Sequence, residues 1–186
     1  MSKIAMLLDQ MFDDAEFRVP YDRLRGAGHQ VFLVGSVLGE PLIGLQRSEH
    51  VRVDASFHEV TARYFDALVI PGGLSPDHLR TDRDAVQLTR EIALADKPVG
   101  AVGQGALLLI AADVVGGRLV ISSPSLETAL VDAGGRWFDR DVVVDGNIIT
   151  ARGPESLPAF ADAFLHELDA GVPTRAEPVY PFAELG

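Results

Sequence analysis

The sequence predicts a doubly wound α/β sandwich: a mainly parallel sheet covered on both faces by helices, with one β-hairpin added. Short, mainly apolar runs, such as Phe65 to Ile70, interrupted only by Asp66, and Val99 to Val102, suit strands buried on both faces. They alternate with segments whose apolar residues recur at helical spacing, the pattern of βα units. Glycines stand just beyond two of the runs, at Gly72 and Gly73 and at Gly103 and Gly105, where sheets of this class meet their ligands.

Taken in order, Lys3 to Leu8 is the first strand, and Asp14 to Gly26 the first helix, with Phe17, Tyr21 and Leu24 on one face and Gly26 and Gly28 as its stop. Gln30 to Val34 is β-branched and apolar, a second strand. From Gly35 to Val53 the pattern breaks around Gly39, Pro41 and Gly44, which predicts a small ribbon beside the main sheet. Phe65 to Ile70 is a buried strand closed by Pro71, and Asp82 is the expected N-cap of a helix reaching Ala95. Strand Val99 to Val102 turns at once into helix Gly105 to Ala112. After Gly116 and Gly117, Arg118 to Ile121 is a short strand and Pro124 to Ala133 a helix. DVVVDGNIITA at 141–151 reads as a hairpin turning at Asp145 and Gly146. Glu155 to Leu168 is an amphipathic helix whose apolar face carries Leu157, Phe160, Ala161, Phe164, Leu165 and Leu168. One domain is expected over residues 1–169, followed by a tail at 170–186 that holds three prolines, Tyr180 and Phe182.

At 186 residues, 47% of them hydrophobic, the chain can bury one full core. A net charge of −11 argues against nucleic acid or an anionic membrane surface as partner, since both recruit Lys and Arg. No apolar run is long enough to span a bilayer and none resembles a signal peptide, so the expected location is the cytoplasm. With no cysteine in the chain, disulfides, thiolate metal sites and thiol chemistry are all excluded. The five histidines are dispersed, with no metal-ligand spacing, and neither metal nor cofactor is expected.

PVGAVGQGALLLIAA at 98–112 is the architecture of a nucleophile elbow, a strand turning sharply into a helix at a glycine-flanked residue. Together with FDDAEFRVP at 12–20, DALVIPGG at 66–73 and VDGNIITARGP at 144–154, it closely resembles the ThiJ/PfpI family of the class I glutamine-amidotransferase-like superfamily. The resemblance runs from about Lys3 to Leu168 and implies a flavodoxin-like fold and a homodimer, or a larger assembly of dimers, with its interface near the elbow. It also implies a reactive cysteine in an A-I-C-H-G-P motif. In that register Gly103 stands for the cysteine, Gln104 for the histidine and Ala106 for the proline. A register with Gln104 at the apex fits less well, because the small residues Ala101 and Gly105 flank position 103. The acid that the family sets beside the thiol matches Asp13, with Asp14 and Glu16 as neighbouring candidates, and the oxyanion amides match the Gly72–Gly73 pair and Gln104.

The resulting expectation is a family member without the reactive thiol that binds a small polar metabolite at Gly72, Gly73, Gly103, Gln104 and Gly105, or serves a regulatory or stress role. Two alternatives stand beside it. One is an amidase- or isonitrile-hydratase-like enzyme in which Asp13 activates water; the other is a structural subunit with a vestigial pocket. Taken alone, the three acids would be first-turn residues favoured by the helix dipole, Gln104 a cap of the glycine turn, and Arg152 a residue that holds the last helix near the site. His78 and the serines Ser75, Ser122 and Ser123 fall in segments near the strand ends, without a recognisable Ser–His register.

Overall fold

The computed structural model of the chain describes residues 1–171. β1 (Lys3–Leu7) is buried at every position after Lys3, and its side chains alternate between two cores: Ala5 and Leu7 in one, Ile4 and Met6 in the other. α1 (Asp14–Gly26) turns Phe17 and Leu24 inward and carries Pro20 in its interior, where the ring nitrogen cannot donate to the Glu16 carbonyl. β2 (Gln30–Gly35) returns parallel to β1. β3 (Pro41–Ile43) and β4 (His50–Arg52) pair antiparallel as the expected ribbon, outside the main sheet. β5 (Ala55–Ser56) is a two-residue edge strand. β6 (Ala67–Ile70) is wholly buried and leads to α2 (Ser75–Leu79) and α3 (Arg83–Leu94). Asp82 caps α3 by accepting from the amides of Asp84 and Ala85.

β7 (Val99–Val102) passes through a single 3-10 turn at Gly103–Gly105 into α4 (Ala106–Ala111). β8 (Leu119–Val120) and β9 (Arg136–Trp137) form a small parallel pair, with α5 (Glu127–Asp132) between them in sequence. The hairpin of β10 (Val142–Asp145) and β11 (Ile148–Ala151) precedes α6 (Leu157–Ala170).

The main sheet runs β10-β11-β7-β6-β1-β2-β5, and only the β10–β11 pair is antiparallel. Helices α3, α4 and α5 cover one face through Leu88, Ile92, Leu108, Leu109 and Leu130. The other face is covered by α1 and α6 through Phe17, Leu24, Phe160 and Phe164. This is the flavodoxin-like α/β sandwich that the sequence predicts. From β1 the chain winds outward to β2 and β5 on one side, then returns and winds through β6 and β7 on the other. The carboxyl ends of β1 and β6 therefore flank the crevice where doubly wound sheets bind ligands.

Some boundaries differ from expectation. The hairpin turns at Gly146 and Asn147, because Asp145 still pairs with Ile148 and its carboxylate accepts the Leu119 amide. The helices expected at 105–112, 124–133 and 155–168 each open with a 3-10 turn, and α2 and β5 have too few residues to show a period. The tail expected from residue 170 lies, from residue 172 on, outside the described residues.

Candidate active site

Three loops meet at the crevice. The segment after β1 is laid against the segment after β6: the Asp13 amide donates to the Gly72 carbonyl (3.0 Å) and the Leu74 amide to the Met11 carbonyl (2.8 Å). Phe12 and Gly73 thus face each other as an isolated antiparallel bridge. Gly73 is obligatory there. Its φ is +81° and an added Cβ would lie 2.5 Å from both the Asp13 nitrogen and the Met11 oxygen. The third loop is the elbow, where Gly103 takes φ +54°, the left-handed region that β-branched and bulky residues avoid.

Glu16 lies against that elbow. It is 4% exposed, its Oε2 accepts the Gly72 amide at 2.6 Å, and a Cβ on Gly103 would sit 2.9 Å from its Oε1. Burial pushes its carboxyl up from the usual 4.5 to about 7; the Asp13 carboxylate pushes in the same direction, and the Gly72 hydrogen bond pulls back. Asp13, the acid that the sequence matched to this position, is turned elsewhere. Its Oδ1 caps α1 by accepting the Glu16 amide (3.0 Å), and its Oδ2 accepts the Gln46 side-chain amide (3.1 Å). The helical advance of three residues is the reason: a cap residue stays at the mouth of α1, while the residue one turn on points into the crevice.

Two amides at the site are unengaged. Among the described residues the N–H groups of Gly73 and Gln104 have no acceptor, and both belong to residues beside Gly72, whose added Cβ would meet the Gln104 nitrogen at 3.0 Å. Gln104 does not cap the turn. Its Nε2 donates to Ser123 Oγ (2.7 Å) and Ser125 Oγ (2.8 Å), which commits both amide hydrogens and leaves Oε1 as an acceptor with no donor among the described residues. Gly105 presses on β6, as an added Cβ would overlap the Ile70 carbonyl.

Asp14 fixes the rim of the site. Its carboxylate accepts the amides of Gln46 (2.9 Å), Ser48 (2.8 Å) and Glu49 (2.8 Å) and the Ser48 hydroxyl (2.7 Å), which pins the β3–β4 loop to the start of α1. Burial alone would raise its pKa, but those four bonds hold it below the ordinary 3.8. Its stabilising effect is therefore present at neutral pH and lost as the pH falls through that lowered value. Asp14→Ala is expected to cost about 2 kcal/mol at neutral pH, since it takes an ionised acceptor away from four donors of the β3–β4 loop. Urea denaturation at pH 7 measures this, and a loss under about 0.5 kcal/mol, the range of ordinary surface changes, would contradict it.

The other expected residues lie apart from these contacts. Ser75 Oγ accepts the Asp9 amide (2.8 Å), and His78 faces Asp9 at 3.8 Å. Arg152 pairs with Asp139 and approaches Asp141 at 3.8 Å, so it braces the loop before β10 rather than the last helix. His58, Asp82 and Asp84 do come together, which their spacing in sequence hid. Nδ1 of His58 lies 2.6 Å from Asp84 and Nε2 lies 3.7 Å from Asp82. With the Asp84 hydrogen bond raising the His58 pKa, the cluster suits an imidazolium held between two carboxylates. No helix among the described residues is long and apolar enough to cross a membrane.

A buried carboxyl beneath a strand-to-helix elbow, with free amides alongside, defines an α/β protein of the elbow-site class. The chain belongs to the DJ-1/PfpI family, whose model matches residues 2–167. It is similar to protein/nucleic acid deglycase 2 of Escherichia coli, with 41% identity over 169 residues, 90% of this chain and 98% of the relative. To deglycase PfpI of Pyrococcus furiosus it is 37% identical over 163 residues, 88% of this chain and 97% of the relative. A two-domain protein of Anabaena variabilis, containing DJ-1/ThiJ/PfpI-like and ferritin-like domains, superposes with a TM-score of 0.89 at 32% identity. That match covers 100% of this chain and 54% of the larger one. The deglycase names of these relatives overturn the expectation of a metabolite binder or regulatory protein drawn from the missing cysteine. They also set aside its two alternatives, the structural subunit and the amidase- or hydratase-like enzyme, whose intended base Asp13 is occupied as a helix cap.

Proposed function

We propose that this chain is an enzyme of the deglycase type that works without a thiol, with Glu16 as its acid/base. The resemblance sets Gly103 where the family carries a reactive cysteine, and no cysteine stands anywhere in the chain. The substrate class is an adduct of an amine with a reactive aldehyde, an aminocarbinol in which one carbon bears both the nitrogen and a hydroxyl. Such an adduct separates without a covalent nucleophile. The hydroxyl proton leaves, the C=O bond forms as the C–N bond breaks, and the nitrogen departs with a proton.

One carboxyl can perform both transfers. Glu16 in its ionised form takes the hydroxyl proton and delivers it to the leaving amine, which regenerates the carboxylate and balances the step. A carboxyl with pKa near 7 is suited to both halves at neutral pH. The amides of Gly73 and Gln104 support the oxygen as it gains negative charge, and the free Oε1 of Gln104 accepts from the amine N–H. The observation that carries this reading is the buried Glu16 carboxyl, raised to about 7, against the side-chain-free Gly103.

The test is the initial rate of amine release from the glyoxal adduct of a simple primary amine, in a buffer free of amines that would scavenge the aldehyde. The wild-type chain is expected to accelerate release, with a rate that rises through about pH 7 as the carboxylate form takes over. Glu16→Gln is expected to lower the rate about a hundredfold. Release no faster than in buffer, or equal rates for wild type and variant, would overturn the proposal.

A further inference from the structure

A second hollow, of about 350 Å³, is lined by Gln10, Met11, Ile43, Gly44, Leu45 and Arg47. Its volume lies in the range of small-molecule sites. Met11, Ile43 and Leu45 make an apolar wall, and Arg47 is the one charged residue of the lining. Three acids of the adjoining loops are already engaged: Asp14 by four donors, Glu49 by Arg18 at 2.5 Å, and Asp13 by the α1 cap and Gln46. Arg47 is not. Among the described residues its side chain has no hydrogen bond and no ion pair.

The backbone of this hollow is unusual in a second, independent way. The non-glycine residues at positive φ among the described residues are Met11 (60°), Arg47 (63°), Asp96 and Asp113. Aspartate tolerates that region, but methionine and arginine seldom enter it. Both line this one hollow. Strained residues persist where the surroundings over-determine them, and they concentrate at ligand sites. The surroundings here are rigid. Gln10 is clamped to β3 at both ends of its side chain, Nε2 to the Pro41 carbonyl (2.9 Å) and Oε1 from the Ile43 amide (3.1 Å), and the Met11 amide donates to the Ile43 carbonyl (2.9 Å).

We propose that this hollow binds a small carboxylate with a short hydrocarbon body, the carboxylate on Arg47 and the body against Met11, Ile43 and Leu45. In a chain of net charge −11, an unengaged guanidinium over an apolar wall selects for an anion that also has apolar surface to bury. The site is separate from the acid/base chemistry at Glu16 and does not depend on it.

Titration of the full chain with hexanoate and with its neutral counterpart hexanamide, followed by backbone amide shifts, tests the proposal. Saturable hexanoate binding is expected, with shifts at Met11, Ile43 and Leu45 and roughly tenfold weaker hexanamide binding, the scale of one charge-assisted hydrogen bond. Arg47→Gln should bring hexanoate to the level of hexanamide. Leu45→Trp, which fills the hollow and leaves the charge, should abolish binding of both, and each variant's dispersed amide spectrum reports that it is folded. Equal affinity for acid and amide, undiminished binding by Arg47→Gln, or no saturable shift because a second copy of the chain covers the hollow, seen as a dimer in sedimentation, would each overturn it.

Discussion

Glu16→Gln is expected to stabilise the protein by about 3 kcal/mol above pH 8 and by little below pH 4, the scale set by a shift from 4.5 to about 7. Below 4.5 the carboxyl is neutral in both the folded and the unfolded chain, and its burial carries no charge penalty. Between 4.5 and about 7 the unfolded chain releases the proton while the folded chain retains it, so stability falls as the pH rises. Above about 7 the folded form ionises too and the fall ends. A neutral amide has no such profile. Urea denaturation of both proteins across pH 4 to 9 gives the difference directly, and the lowered pKa of Asp14 keeps its own transition below this window. A difference that stays constant with pH would show that Glu16 is not held protonated by its surroundings.

Gly105→Ala is expected to cost 3 kcal/mol or more, against what helix propensity alone would give. The residue stands at φ −56°, ψ −25°, a conformation in which alanine is favoured over glycine by about 1 kcal/mol. Space reverses the sign. The new Cβ would overlap the Ile70 carbonyl oxygen and come within 3.2 Å of its carbon, and those atoms belong to the backbone of β6, which cannot turn aside as a side chain can. Overpacking of this kind costs about 1–3 kcal/mol and occasionally more, and a backbone partner puts it at the upper end. Gly26→Ala is the control: it is the last residue of α1, and nothing lies within 4 Å of its added Cβ. Thermal unfolding of the two variants should separate them widely, and a Gly105→Ala protein as stable as Gly26→Ala would refute the packing argument.

The elements that the sequence disclosed are those whose burial is written into a period. β6 and β7 were legible because strands covered on both faces have no polar positions. α3 was legible from its cap, and α6 from its phenylalanines. α2 and β5 were not, since five residues and two residues carry no measurable repeat. At the site the glycines were legible, because backbone needs leave one residue type little competition. The acid was harder to place. Asp13, Asp14 and Glu16 lie within one turn, and only the direction of α1 decides that Asp13 caps the helix, Asp14 holds the β3–β4 loop and Glu16 enters the crevice. The hollow at Met11 and Arg47 left no trace in sequence, since it joins two loops more than thirty residues apart and depends on backbone angles that neither residue type announces.

The close approach of Glu16 to Gly103 also bears on how this branch of the family can change. A side chain at position 103 would bring its first carbon to 2.9 Å from Oε1, so a mutation there meets a carboxyl already seated in the space and tied to the Gly72 amide. That carboxyl is the far end of a side chain and can swing aside where backbone could not, so the residue at the elbow sets where the acid sits: glycine lets Oε1 settle over position 103, and a larger residue there displaces it.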